Sequence, residues 1–369
     1  MSRKPAERPF LAPLTPVYRL GVELRELRLR CGWEQVQRLA KPVVSIGNIS
    51  AGGAGKTPLT IALAQALTRR GVAVDVLSRG YGRQSQLAAR VDPEGTCEAF
   101  GDEPLLMARA AGVPVFVARQ RVDAGRLAES FLLPPFPAEN AEKDGAPETF
   151  YLEYLYQGTT SVVPQSAPDT HRALAPEGLA LHLLDDGFQH RQLHRDVDIV
   201  LVSGGDLEDR LLPAGNLREP LRALGRATVV VLPAEEPETE AALRASGFAG
   251  PVWRVRRRMA VPVIAGSVIA FCGIARPEQF FAGLEQAGLD LVVRKAYADH
   301  HGYTAAELME LASAGVAACA TLLTTEKDAV RLSGLLHLLP AAVELKTAGL
   351  WSEIVGEDAA VEWLVTRLS

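Results

Sequence analysis

A chain of 369 residues is long enough to form two domains, each with its own core. Its composition, 48% hydrophobic and 22% charged residues with a formal net charge of -5, argues against a nucleic-acid-binding protein, which would normally show a basic face. The four cysteines form no C-x-x-C pair and no apolar run approaches the ~18 residues of a membrane span, so we expect neither a zinc site, a disulfide framework nor a transmembrane helix.

The N-terminal segment, residues 1–35, predicts an amphipathic helix after a proline-rich start. Its apolar residues recur at three- and four-residue steps, the spacing of one helix face: Val17, Leu20, Leu24, Leu27 and Cys31. Arginines lie off that stripe, at positions 19, 25, 28 and 30. Such a helix docks either on an anionic membrane surface or on the core of its own protein, and the pattern alone favours neither.

A glycine-rich loop between a predicted strand, 42–46, and a predicted helix, 59–67, is the strongest local signal. Glycines allow backbone N–H groups to turn around an anion, a following lysine reaches the β- and γ-phosphates, and a threonine hydroxyl binds Mg²⁺. An ordinary glycine-rich turn does not explain Gly-Lys-Thr at this junction, although Ser50 stands where the general motif has glycine. The loop therefore predicts a nucleoside triphosphate and Mg²⁺ at Gly52, Gly53, Ala54, Gly55, Lys56 and Thr57.

A second predicted strand, 72–77, leads into the segment that contains Arg79 and Arg83. Strand, loop, helix and strand form a βαβ unit, which predicts a parallel sheet with its sites beyond the carboxyl ends of the strands. Both arginines should therefore lie near the phosphates. They are either solvated surface groups or substrate ligands, and the residues alone do not decide between these roles.

Two adjacent acids, Asp102 and Glu103, open a predicted helix at 105–111. Carboxylates cap helices and suit the positive end of the helix dipole, so from the residues alone capping is the simpler interpretation. Arg121 follows another predicted strand, 113–117. Residues 134–176 are rich in Pro, Ala, Glu, Ser and Thr and are interpreted as an inserted excursion that carries no recognisable chemistry.

An apolar strand at 179–184 ends in Asp185 and Asp186, the second strong signal. In nucleotide-binding proteins with such a loop, a strand-terminal carboxylate binds Mg²⁺ directly or through water, and either aspartate fits that position. A turn capped by aspartate is the alternative. Gln189 and His190 follow, and predicted strands at 197–202 and 228–232 complete a sheet.

Beyond residue 232 the α/β pattern starts again, with predicted strands at 268–271, 291–295 and 321–323 and a helix at 278–287. We therefore predict two domains, 36–232 and 233–369, joined by an acidic hinge at 233–240. The predicted fold class is α/β: a P-loop NTPase-like, mostly parallel sheet with helices on both faces, plus a smaller C-terminal α/β domain. Asp299, His300 and His301 lie in a loop of this domain, where a histidine pair is more often structural than catalytic.

Taken together, the motifs resemble the tetraacyldisaccharide 4'-kinases, the LpxK family of lipid A biosynthesis. The matching segments run in order from about residue 40 to 330. Asn216 stands where the family usually has proline, and the family's own phosphate loop begins with Gly47 and Asn48, which accounts for Ser50. The matches are residues 47–48, 52–58, 78–81, 101–104, 185–190, 212–215, 217–220, 299–301 and 325–329.

The resemblance implies transfer of the γ-phosphoryl group of ATP to the 4'-hydroxyl of a tetraacylated glucosamine disaccharide 1-phosphate, which gives lipid IVA. It also implies that Asp102 and His300 together activate this hydroxyl, with either side chain as the proton acceptor. Because the two residues belong to different predicted domains, the site would be complete only on closure. Residues that orient the substrate or support this site are then Glu103, Gln189, His190, Arg79, Arg121 and Arg218.

A substrate with four acyl chains lies in a bilayer surface, so the resemblance favours membrane docking of the N-terminal helix. The expected location is the cytoplasmic face of the inner membrane, as a peripheral protein with no nucleic-acid partner and no obligate protein partner. The alternatives are a P-loop switch ATPase and a C-terminal domain that docks partners. A switch ATPase needs no base for an acceptor hydroxyl, so the pairing of Asp102 with His300 argues against it.

Overall fold

The computed structural model describes residues 8–53, 55–131 and 178–369. Ala54 of the predicted phosphate loop and the predicted excursion at 134–176 lie outside the described residues. In the described part of the chain, no helix combines the length and the apolar character that crossing a bilayer requires.

The strands, in chain order, are β1 (Val43–Asn48), β2 (Ala73–Ser78), β3 (Ala89–Arg90), β4 (Val115–Val117), β5 (Ala180–Asp185), β6 (Val197–Leu201), β7 (Val229–Pro233), β8 (Val252–Ala260), β9 (Ser267–Cys272), β10 (Asp290–Ala296), β11 (Thr321–Thr325) and β12 (Leu345–Val355). The α-helices are α1 (Thr15–Arg30), α2 (Lys56–Arg69), α3 (Cys97–Phe100), α4 (Asp102–Ala110), α5 (Arg121–Ser130), α6 (Gly204–Glu208), α7 (Thr239–Ala245), α8 (Pro277–Gln286), α9 (Ala305–Ala318), α10 (Glu326–Leu332) and α11 (Glu357–Leu368). Short 3₁₀-helices cover Pro9–Leu14, Leu221–Arg226 and Ser333–Leu338.

The described strands form one 12-stranded sheet in the order β10-β9-β11-β12-β8-β7-β6-β1-β5-β2-β4-β3. Neighbouring strands run parallel except at two places, where β12 pairs with β8 and β4 pairs with β3 in antiparallel fashion. The prediction of an α/β fold with a mostly parallel sheet is confirmed. The sheet therefore consists of two parallel blocks that are joined by the antiparallel ribbon of β8 and β12.

The central position of β1 brings the predicted nucleotide residues together. This strand lies between β5 and β6, and Ile46 is in register with Asp185. Since parallel strands end at the same edge of the sheet, the loop after β1 and the two aspartates after β5 meet there. The strand is buried along its whole length, and α2 packs Leu59 and Leu63 against it.

The C-terminal block has its own apolar core, built around residues such as Ile269, Phe271 and Leu322. The chain then returns to the first block through β12, and α11 packs Val361 and Leu364 into the core that contains α2. The predicted domain boundaries stay a prediction. The structure also shows two connections between the blocks that were not predicted from the sequence, the β8–β12 ribbon and the helix α11.

Gly47 in β1 allows the close approach of Phe188, which is fully buried. A Cβ atom at position 47 would lie 2.5 Å from Phe188 Cβ and 2.8 Å from its backbone nitrogen. Neither group is the flexible end of a side chain, so the strand or the segment after Asp186 would have to shift. The absence of a side chain at position 47 thus fixes how tightly the two site-bearing segments pack.

We predict that Gly47→Ala lowers the free energy of unfolding by about 1–3 kcal/mol, the usual cost of forcing atoms into a packed core. Chemical denaturation measures this change. Gly21→Ala in α1 is the matched control, because no atom lies within 4 Å of its added Cβ; alanine there should be neutral or stabilise the helix by up to about 1 kcal/mol. Equal stability of Gly47→Ala and the unaltered protein would contradict the packing argument.

Candidate active site

The phosphate loop ends at Gly55, which adopts the left-handed conformation with φ 85° immediately before α2. A residue with a Cβ atom would be strained there, whereas glycine adopts this conformation freely. The turn directs the chain into α2 at Lys56, so the free N–H groups of the first helical turn face the loop. This geometry suits the binding of an anion such as a triphosphate.

Asn48 organises the loop from within. Its side chain is fully buried; its amide nitrogen donates to the Ser50 carbonyl at 2.6 Å, and its amide oxygen accepts from Lys56 Nζ at 3.2 Å. Gln189 donates to the Asn48 carbonyl at 2.8 Å. Side-chain hydrogen bonds therefore hold the start of the loop, which is compatible with serine rather than glycine at position 50.

The two adjacent aspartates have opposite surroundings. Asp186, at φ 47°, forms ion pairs with Lys56 Nζ at 3.3 Å and Arg218 Nη1 at 3.2 Å. Asp185 is 3% exposed; Ser78 Oγ lies 3.4 Å from its Oδ2, and its Oδ1 has no hydrogen-bond partner. One carboxylate is thus ion-paired with two protein cations, and the other is a buried acid with one oxygen that accepts no hydrogen bond.

These surroundings displace the two pKa values in opposite directions. Burial raises the pKa of Asp185 well above its usual range, and the charges of Glu103 and Asp186 act in the same direction. Burial also raises the pKa of Asp186, but the charges of Lys56 and Arg218 outweigh it and the net shift is downward. A cation beside Asp185 would remove this imbalance.

The residues fit a magnesium ion. The unpartnered Asp185 Oδ1 and the buried hydroxyl-bearing Thr57 supply the hard oxygen ligands that Mg²⁺ prefers. Within the described ranges no three or more His, Cys, Asp or Glu side chains form a metal-binding group. That agrees with the way Mg²⁺ is held beside nucleotides, by one or two carboxylates together with the phosphates.

Cationic side chains surround the same edge of the sheet. Arg121 is 9% exposed, and its Nη2 donates to the Asp186 carbonyl at 3.4 Å, while Arg218 Nη1 also reaches Gln189 Oε1 at 3.4 Å. Arg79 is close enough for its charge to lower the pKa of Arg121. Burial, reinforced by the charges of Arg121, Arg79 and other arginines, lowers the pKa of His190 to about 4, so this imidazole is neutral at pH 7.

The predicted acceptor residues meet although they are 198 positions apart. Asp102 lies at the start of α4, where its Oδ1 accepts the backbone N–H of Glu103 at 2.9 Å. Its Oδ2 contacts His300 Nδ1 at 2.9 Å. His300 has a left-handed backbone, φ 59°, and its N–H donates to the Gly273 carbonyl at 3.2 Å. The structure therefore brings the pair into direct contact; its role stays a prediction.

The contact moves both pKa values. Burial raises the pKa of Asp102, but the hydrogen bond to His300 and the charge of Arg331 outweigh it and hold the pKa well below its usual range. The hydrogen bond to Asp102 raises the pKa of His300. At neutral pH Asp102 is therefore a carboxylate.

Three cationic residues near the site were not predicted. Arg331 bonds to Asp102, and Lys327 forms an ion pair with Glu103. The guanidinium of Arg257 lies close to Gly55: a Cβ atom added at that glycine would be 2.8 Å from two of the guanidinium nitrogens. The motif at 325–329 contains Lys327, and Arg331 follows one helical turn later, so this spacing was available as a signal. Arg257 belongs to an arginine-rich stretch in which no motif marks it.

Comparisons with known proteins cover nearly the whole chain. Residues 7–133 and 141–368 match the family described as LpxK, tetraacyldisaccharide-1-P 4'-kinase. A tetraacyldisaccharide 4'-kinase of Koribacter versatilis is 38% identical over 368 residues, which is 96% of this chain and 97% of that protein. One of Chromobacterium violaceum is 34% identical over 373 residues, 97% of this chain and 93% of that protein.

A solved structure agrees in fold. It is the crystal structure of an "apo" form of LpxK from Aquifex aeolicus in complex with ATP. The two structures superpose with a TM-score of 0.68 at 28% sequence identity, over 98% of this chain and 99% of that chain.

Proposed function

This chain belongs to the tetraacyldisaccharide-1-phosphate 4'-kinase family, and we propose that it transfers the γ-phosphoryl group of ATP to the 4'-hydroxyl of a tetraacylated disaccharide 1-phosphate in lipid A biosynthesis. The observation that carries the proposal is the direct contact of Asp102 with His300, at 2.9 Å, near the predicted phosphate site. Glu103, next to Asp102, is close enough for its charge to raise the pKa of Asp185. A nucleotide site and a base for a hydroxyl group would thus adjoin, as a kinase requires.

The nucleotide half would use the loop backbone at Gly52, Gly53 and Gly55 together with Lys56 and Thr57. The Aquifex aeolicus relative was solved in complex with ATP, which supports ATP as the donor. Lys56 already points into the site, where it bonds to Asn48 and Asp186. The phosphates would replace Asp186 as the anionic partner of Lys56, because the lysine side chain can exchange one anion for another without moving its backbone.

Thr57 and Asp185, with Asp186 close by, would hold Mg²⁺. A magnesium ion at this position neutralises charge that develops on the phosphoryl oxygens. Arg121 and Arg218 would stabilise the same charge from the protein side, since both lie against Asp186. Arg79 and Arg257 are further candidates for phosphate contacts, since Arg257 lies near Gly55 and Arg79 near Arg121.

On the acceptor side, His300 is proposed as the proton acceptor and Asp102 as the residue that orients it. The pKa of Asp102 lies below its usual range, so this carboxylate is a weak base. Its Oδ2 holds His300 Nδ1, which leaves Nε2 as the atom to take the proton from the attacking hydroxyl. The proton moves to imidazole as the sugar oxygen bonds to phosphorus and ADP leaves.

Closure of the two predicted domains, 36–232 and 233–369, is proposed to accompany substrate binding. Asp102 and His300, which come from opposite sides of the β8–β12 ribbon, are already in contact here, so this arrangement would correspond to the closed form. Motion about the ribbon would suit that role, whereas the predicted hinge at 233–240 lies between β7 and β8 of the first block. Closure would limit the access of water to the γ-phosphate and so favour transfer to the lipid over hydrolysis of ATP.

The N-terminal helix supports access to a lipid substrate. Its apolar stripe is exposed, with Leu20 at 56% and Leu24 at 50%. Its polar face turns toward the site: Arg25 donates to the Gln189 carbonyl at 2.8 Å and Tyr18 to the Arg218 carbonyl at 3.0 Å. We propose that α1 lies on the cytoplasmic face of the inner membrane as a peripheral anchor and presents the site to the acylated disaccharide.

Incubation of the full chain with γ-labelled ATP, Mg²⁺ and the disaccharide 1-phosphate lipid tests the function directly. We expect the label to appear in the lipid and to depend on Lys56, so that Lys56→Ala yields almost none. Chromatography of the lipid and aqueous phases separates the products. Label that appears only as inorganic phosphate while the lipid is present would instead identify a P-loop switch ATPase.

Asp102→Asn preserves the size of the side chain but removes its charge. We expect kcat to fall by roughly the 10²–10⁴-fold of lost acid–base assistance, while the KM for ATP stays close to normal, since the phosphate loop is untouched. Asp290→Asn, an exposed position on the edge strand β10, is the control. Undiminished kcat in Asp102→Asn would remove this residue from the mechanism.

The double substitution Leu20→Glu and Leu24→Glu should weaken partitioning of the protein onto anionic vesicles by about tenfold or more. Burial of one leucine side chain contributes about 1.5–3 kcal/mol, and 1.4 kcal/mol corresponds to a factor of ten. Vesicle co-sedimentation measures the effect. Val316→Glu on α9 is the control, because it changes a side chain that is 51% exposed on another surface. Unchanged partitioning of the double variant would rule out α1 as the anchor.

A further inference from the structure

Arg331 on α10 connects the two parallel blocks at the acceptor residues. Its side chain is 6% exposed. Nε donates to Asp102 Oδ2 at 3.0 Å, and Nη2 bonds to the same oxygen. Nη1 donates to the Gly273 carbonyl at 2.6 Å and to Asp328 Oδ1 at 2.9 Å. One planar guanidinium thus holds α4 from the first block and the strand end of β9 in the second.

The position of Arg331 is itself fixed by a fully buried carboxylate. Asp328 is 0% exposed and also accepts hydrogen bonds from the Gly273 N–H at 3.1 Å, the Tyr303 hydroxyl at 3.0 Å and the Thr325 hydroxyl at 2.7 Å. Such a saturated buried network leaves the guanidinium a single orientation. Arg331 is therefore a rigid support for Asp102.

Arg331 also links the side chain of Asp102 to the backbone of His300. The Gly273 carbonyl accepts both Arg331 Nη1, at 2.6 Å, and the His300 N–H, at 3.2 Å. The side chain of Asp102 and the main chain of His300 are thereby tied to one common point. A shift of Arg331 would change the Oδ2–Nδ1 contact on which the acceptor pair depends.

Lys327 lies one turn earlier on the same face of α10 and forms an ion pair with Glu103. Two cations, spaced four residues apart, thus face two adjacent acids at the start of α4. Each contact crosses from one parallel block to the other. The two contacts together fix both the distance between α10 and α4 and the rotation of α10 relative to α4. A single ion pair would leave that rotation free.

We infer that Arg331 is a positioning residue for the acceptor step: it fixes Asp102 against His300 and, with Lys327, locks α10 onto α4 when the site is assembled. The inference rests on the proposed kinase function. Arg331 Nη2 lies 3.4 Å from His300 Nδ1, whereas Nε2 is the atom proposed to take the proton. It acts through Asp102 and His300, whose mutual geometry decides how fast the hydroxyl loses its proton.

The charges that face His300 make the inference testable by pH. Asp102 on α4 and Asp299 in its own loop raise the pKa of His300, Arg331 on α10 lowers it, and the Tyr81 ring lies 5.7 Å away. The net pKa is above the usual value, so the basic form is lost as pH falls through that raised pKa. If Arg331 holds Asp102 against His300, its removal loosens the Asp102 contact, which is the largest cause of the raised pKa, and His300 should lose its proton at lower pH.

Arg331→Gln should therefore lower kcat by about 10–10²-fold, a cost typical of misplacing a reacting group, and shift the rising limb of kcat/KM to lower pH. The KM for ATP should change little. Arg331→Lys keeps the charge and can keep one bond to Asp102, so its limb should move less than that of Arg331→Gln while kcat still falls. NMR titration of His300 in the ligand-free full chain measures the same change in the pKa of His300 without catalysis.

Arg70→Gln is the matched control. Arg70 has a 7% exposed side chain, pairs with Asp358 at 3.0 Å and lies at the end of α2 remote from the phosphate loop. Its loss should reduce thermal stability without moving the pH limb or the His300 titration. A purely structural Arg331 would behave in the same way, and that result would overturn the inference.

Two further outcomes are separable. If Arg331→Gln does not fold, Arg331→Lys decides: reduced kcat with a limb moved to lower pH supports positioning, and undiminished kcat overturns it. If the unaltered protein forms no phosphorylated lipid, the proposed function fails, while the NMR titration still reports whether Arg331 governs His300.

Discussion

The antiparallel pairing of β8 with β12 is the constraint on which the acceptor half of the site depends. It runs from Arg254 opposite Val355 to Ala260 opposite Gly349, and it joins two blocks whose strands are otherwise parallel within each block. The pairing sets the face and the distance at which the second block meets the first. His300 and Arg331 reach Asp102 because of that alignment, and α11 secures it by packing back against α2. A local feature far from the chemistry thus determines which residues can meet.

The two halves of the site differ in how completely their charges are satisfied. Asp102 accepts hydrogen bonds on both oxygens and is held as a carboxylate, whereas Asp185 keeps one buried oxygen without a partner. Pairs of acids with oppositely displaced pKa values mark different roles in one active site. In the proposed mechanism, the acceptor half would keep its geometry, whereas the nucleotide half would gain a cation and an anion together.

The sequence predicted the parts of this arrangement that depend on neighbouring residues. The apolar strands and the phosphate loop follow from local pattern, because a buried parallel strand is a continuous hydrophobic run. β8 and β12 were not predicted from the sequence. β8 carries arginines at 254 and 256–258 and is buried at few positions, so it lacks a continuous hydrophobic run. Asp102 shows the limit most clearly. It does lie at the start of a helix, as the capping interpretation requires, yet its second oxygen binds a histidine that only the fold brings near.

In the proposed function, the position of α1 would link the membrane to the phosphoryl site by a short chain of contacts. Its polar face bonds to the carbonyls of Gln189 and Arg218, and the side chains of those residues bond to Asn48 and Asp186. An apolar stripe pressed into a bilayer would hold this face of the protein toward the lipid, since the opposite face of the helix is already committed to the site-bearing loops. ATP would then arrive from water and the disaccharide from the membrane surface. A helix whose two faces are divided between bilayer and active site would bring both substrates to the same strand edge.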